Sequence, residues 1–134
     1  MQDQPTPAEI LAAVAGFLRA DVTADITPHA VFQAKVAANA LEIARRDLEL
    51  GPPADDAELE RLQRLLGHAG SLLDLNRELA VKIADGGITL ETPGLAEHLW
   101  AVTLAKLAVD QPTYSGYRAA LAERAHIKPV TGET

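Results

Sequence analysis

Four polar side chains recur at helical spacing in the first half of the chain: Lys35, Asn39, Glu42 and Arg46, separated by four, three and four residues. At 100° per residue they fall within a stripe about 60° wide, with Phe32 beside it. Two cations and an amide on one face can hold a phosphate or a carboxylate, with Glu42 as a base or as the group that orients them. The same stripe also reads as a solvated helix face, in which such neighbours stabilise one another by about 0.2–0.5 kcal/mol per pair. Phe32, Val36 and Ile43 border the stripe and keep the ligand reading open.

A second set lies between Leu95 and Asp110. From Leu99 to Val109 only Thr103 and Lys106 are polar, and Thr103, Lys106 and Asp110 share a side. A desolvated lysine loses basicity and becomes a general base or an amine nucleophile. The alternative is a lysine that snorkels or pairs with Asp110 or an acid from another helix. His98 lies on a different side, in line with Val102, Ala105 and Val109, where a core or rim histidine with one hydrogen bond is the ordinary reading. Glu123 and His126 have the i, i+3 spacing of carboxylate-bridged di-metal bundles, but those sites need two such pairs and two further carboxylates. No metal site, no cofactor and no catalytic residue is therefore assigned. Glycine-rich phosphate loops, His-Glu-x-x-His and Gly-x-Ser-x-Gly do not occur.

The elements that must position these residues read as helices. Thr6-Pro7-Ala8-Glu9 is a capping box with proline at the first helical position. The helix it opens runs to about residue 20 or 21, with Ile10, Val14, Phe17 and Leu18 inward, and residues 22–26 form a linker. Thr27-Pro28 opens a long helix that Gly51-Pro52-Pro53 is expected to stop at Leu50. Asp55-Asp56-Ala57-Glu58 opens a third, carrying Leu59, Leu62, Leu65 and Leu66. The two glycines of Gly67-His68-Ala69-Gly70 suggest a break, with Ser71 capping a fourth helix whose Leu72, Leu75, Leu79 and Ile83 face inward. An unbroken helix with a local irregularity is the alternative. Ile88 to Glu91 is extended or loop. Thr92-Pro93 opens the central helix, apolar nearly all round and so expected to be buried on every side. Asp110-Gln111-Pro112 ends it, and a last helix covers about Thr113 to Arg124, with Tyr114, Tyr117 and Leu121 on one face. The fold class is all-α: a single-domain antiparallel bundle of five or six helices, with its core at about 6–125 and a tail at 126–134.

Composition bounds the function. In 134 residues, 48% are hydrophobic, only 4% are aromatic and none is cysteine, so the core is aliphatic and no disulfide or thiolate chemistry exists. A net charge of −7 excludes a general phosphate-backbone binder, and hence nucleic acid as partner. No apolar run is long enough for a membrane span, and the N-terminus has no signal-peptide pattern, so a cytoplasmic location is expected.

Two stretches resemble the signatures of an uncharacterised family of short helical bacterial proteins: residues 29–47, from His29 to Asp47, and Glu97-His98-Leu99 followed by residues 104–114. The opening Pro5-Thr6-Pro7-Ala8-Glu9-Ile10-Leu11 fits as well. The family's members are often encoded beside aminoglycoside-phosphotransferase-like kinases and acyl-CoA dehydrogenases. The resemblance implies no activity and carries no catalytic residue, but Lys35, Asn39, Arg46, His98, Lys106 and Asp110 fall within the matched stretches. Three readings follow. The first is a non-catalytic accessory or interaction protein for a phosphotransferase-like kinase in acyl-CoA metabolism. The second is a site for an anionic or CoA-like ligand between the second and fifth helices, using Lys35, Arg46 and Lys106. The third is a homo-oligomer that shares apolar faces between subunits.

Overall fold

In a computed structural model that describes residues 5–20 and 27–126, the chain is an all-α helical bundle. Five helices are described: α1 (Pro7–Ala20), α2 (Pro28–Leu66), α3 (Leu72–Ala84), α4 (Leu95–Asp110) and α5 (Ser115–His126). The expected linker at 22–26 and the tail beyond residue 126 lie outside the described residues. The capping box of α1 forms as its sequence dictates: the Thr6 amide donates to Glu9 Oε2 at 2.7 Å and the Glu9 amide donates to Thr6 Oγ1 at 3.3 Å.

The largest departure from the sequence reading is α2. Gly51-Pro52-Pro53 does not end it; the segments expected as a second and a third helix are one helix of 39 residues, about 58 Å long at 1.5 Å per residue. Proline lacks an amide, so Leu48 and Glu49 lose their i+4 donors, an interruption that breaks most helices. Here α4 lies across the joint: Val102, Ala105 and Val109 face Asp47, Gly51, Ala54 and Glu58 along one groove. Arg46 Nε also donates to Val109 O at 2.6 Å just before the prolines. Packing on both sides of the joint outweighs the local stop signal.

The second stop signal holds. Gly67 sits at φ 81 and its amide donates to Gln63 O, closing α2 in the left-handed conformation that glycine adopts without strain. A Cβ at Gly70 would lie 2.9 Å from Leu75 Cδ2, so the turn also needs glycine for space. Ser71 Oγ then accepts from the Asp74 amide at 3.2 Å and starts α3. The break at Gly67–Gly70 lets α3 fold back on α2. Leu75 and Leu79 of α3 join Leu62, Ile88 and Leu95 in the core cluster, with Leu59, Leu65, Leu66 and Leu72 packed around it.

Helix α4 begins two residues later than Thr92-Pro93 suggests. The Thr92 hydroxyl accepts from the Thr89 amide within the preceding loop, and Gly94, at φ 88, takes the N-cap position without a side-chain bond. Nor is α4 buried on every side. Leu95, His98 and Leu104 are buried, but Leu99 is 40% and Trp100 51% exposed. The apolar residues run right round the helix, whereas α2 and α5 are the elements that pack against it closely. The inner faces expected for the end helices shift too. In α1, Ala15 is buried and Ile10, Val14 and Phe17 are exposed; in α5, Ala120 is buried and Leu121 is exposed. Ile83 of α3 is exposed as well. In each case fewer elements cover the helix than its apolar pattern anticipates.

Candidate functional site

Glu42 is the centre of the polar stripe. Its Oε2 accepts from Arg45 Nε at 3.2 Å and lies 3.8 Å from Arg46 Nη1. Its Oε1 is 3.5 Å from Arg19 Nη1, the guanidinium that α1 carries in its last turn. Arg19 Nη2 also donates to Asn39 Oδ1 at 3.4 Å, and Arg45 Nη1 pairs with Glu49 at 2.7 Å. Burial raises the Glu42 pKa, but the hydrogen bond and charge of Arg45, and then those of Arg19, outweigh it and hold the carboxyl below its ordinary value. A carboxylate held ionised in this way is a poor proton acceptor, and the groups it meets are the guanidiniums of Arg19, Arg45 and Arg46.

Asn39, Glu42 and Arg46 of α2 meet Asp110 at the end of α4 around an open groove of about 470 Å³, with Arg19 and Tyr114 on its rim. Four of the residues singled out in the sequence therefore come together. Lys35 is exposed on α2 and does not line this groove. Arg19 and Tyr114 escape sequence reasoning because each reaches the groove from another helix or loop. Arg45 had a visible signal, since it stands at i, i+3 from Glu42 and i, i+4 to Glu49.

His98 and Lys106 belong elsewhere. His98 is 2% exposed, and its Nδ1 is buried with no hydrogen-bond partner. Burial lowers its pKa; nearby Glu58 raises it to a lesser extent, and Arg61 adds to the lowering. Lys106 is exposed and lines two grooves. In one, between α2 and α4, it stands among Asp47, Asp55, Glu58 and Asp110. In the other, between α3 and α4, it stands with His98. Among the described residues no three His, Asp or Glu side chains are grouped to hold a metal ion. Among them, too, no helix is long and apolar enough to cross a membrane.

Fold and site together define a small helical domain hung on one long helix, with an arginine-rich groove at one end and a packed leucine core at the other. The chain belongs to the family described as a domain of unknown function, DUF6285, whose model matches residues 11–114. The match covers α1 from Leu11 through α4 and stops before α5. No curated protein and no solved structure matches the chain.

Proposed function

We propose that this protein is a non-catalytic interaction module that docks, in the cytoplasm, on a phosphotransferase-like kinase of acyl-CoA metabolism. The observation that carries the reading is the coverage of α1. Among the described residues it packs against α2 alone, and Ile10, Val14 and Phe17 of α1, with Phe32 and Val36 of α2, stay on the surface. Phe17 is 56% and Phe32 65% exposed. A run of exposed large apolar side chains of this kind marks an interaction surface, and aromatic residues are the usual anchors of one. The kinase as partner rests on the family resemblance and on the gene neighbourhood it implies.

Co-purification tests it. Tagged protein should retain the kinase encoded beside it, and Phe17→Glu with Phe32→Glu should release it while helicity is unchanged. If the kinase neither binds nor changes rate with the protein present, the reading fails.

A second reading has its own observation: Asn39, Glu42, Arg46 and Asp110 meet at one groove with Arg19. An anion held there would compete with Glu42 for the guanidiniums, so Glu42→Gln should strengthen its binding.

A further inference from the structure

A groove runs between α3 and α4. Its walls are Leu79 and Ile83 of α3 and Leu99 and Val102 of α4, and it encloses about 330 Å³. That is the lower end of the range for small-molecule sites, which combine apolar walls with a few polar groups. Four polar side chains also line it, Asn76, His98, Thr103 and Lys106. His98 forms part of its lining, nine-tenths buried and without a partner for Nδ1. Lys106 is the only formally charged side chain among the lining residues, and no carboxylate of the described residues lies within 4.0 Å of its Nζ. A cationic, apolar groove on a chain of net charge −7 selects for an anion that carries its own apolar body.

We propose that the α3–α4 groove binds a small monocarboxylate with an apolar chain, the chain lying between Leu79, Ile83, Leu99 and Val102 and the carboxylate on Lys106. Charge complementarity fixes the head group. A carboxylate at Lys106 gains a charge-assisted hydrogen bond that no protein group now supplies. The walls fix the other end, because each methylene removed from water between them adds to binding. The acids on the far side of Lys106, Asp47, Asp55, Glu58 and Asp110, disfavour a dianion and set the preference for a single negative charge. This site is separate from the groove around Glu42 and from the exposed residues of α1, so its fate does not depend on the interaction reading.

The full chain titrated with decanoate, decanol and acetate tests the proposal. Amide NMR shifts locate binding, and Trp100, the only tryptophan and next to Leu99, reports it by fluorescence. Decanoate should shift residues 76–83 and 98–106, bind about tenfold or more tighter than decanol (1.4 kcal/mol per tenfold), and far outbind acetate. Lys106→Met, which keeps the apolar stem, should reduce decanoate to the level of decanol and leave decanol unchanged; Lys106→Arg should restore it. Ile83→Glu places a charge at a position already 40% exposed, so the fold survives, and it should weaken decanoate through repulsion. Unaltered decanoate binding in Lys106→Met, shifts confined to other helices, or no binding to the native chain would overturn the proposal.

Discussion

The two halves of α2 carry opposite kinds of structure. The C-terminal half, from Ala54 to Leu66, holds the core: α3 folds back on it, α4 crosses it, and Leu62, Leu75, Leu79, Ile88 and Leu95 bury one another there. The N-terminal half, from Pro28 to Leu50, has α1 along it, meets the end of α4 at Arg46 and Asp47, and is held by small buried contacts, Ala15 and Ala38, and by an arginine network. Apolar side chains are plentiful in both halves. What differs is how many elements arrive to cover them. A helix pattern thus states which residues avoid water but not whether this chain alone can shelter them.

The strongest way to break the comparison is a pair of truncations of similar size. Leu62→Ala should destabilise the chain by about 2–5 kcal/mol, because the cavity it leaves has no solvent to fill it. Phe32→Ala removes a larger side chain, yet should stay within about 0.5 kcal/mol, since Phe32 is already mostly in water. Denaturant midpoints of the two variants measure the contrast, and equal losses would mean that the N-terminal half is as well packed as the other.

Acid sharpens it next, through two histidines near the core end whose shifts have opposite signs. His98 has a lowered pKa in the folded chain, so above its unfolded value of 6.5 it costs nothing. As pH falls through 6.5 the unfolded chain takes up the proton more readily, and stability drops. His68, whose pKa is raised by the Ala69 carbonyl and then by Glu78, contributes stability that is full below 6.5 and is lost as pH rises through its folded value. His98→Leu should flatten the fall in unfolding midpoint between about pH 7.5 and pH 5.5, whereas His68→Gln should steepen it. A His98→Leu chain with the native pH profile would contradict the assignment.

The smallest effect belongs to the arginine network. Glu42→Gln should cost about 1 kcal/mol or less, because partly exposed ion pairs contribute little and salt screens them. The loss should shrink as salt is added. A loss as large as that of Leu62→Ala would move the structural centre of the molecule to the N-terminal half.

Much of the fold could be read from local chemistry. Thr6-x-x-Glu9, Thr27-Pro28, Gly67 and Ser71 each act where their hydrogen-bonding or backbone preferences place them. The readings that failed depend on distant partners. Pro52-Pro53 reads as a stop unless α4 is known to lie across it, and the faces of α1, α4 and α5 read as core unless their missing neighbours are counted. The candidate site divides in the same way. Asn39, Glu42 and Arg46 share a helix face by their spacing alone, whereas Arg19 and Asp110 join them through tertiary packing. His98 lines the α3 side of α4, and Lys106 lines both that side and the groove it shares with Asp110, which no periodicity in α4 could indicate.

Hydrogen exchange of the chain alone and with the proposed kinase partner tests the central claim most directly. Alone, amides of α3, α4 and residues 54–66 should be the slowest, and those of α1 and residues 28–50 faster, as the buried side chains there are the small Ala15 and Ala38. With the kinase, α1 and residues 28–50 should gain protection while α3 stays unchanged. Equal protection of α1 in the free chain, or a kinase footprint on α3 instead, would contradict the account.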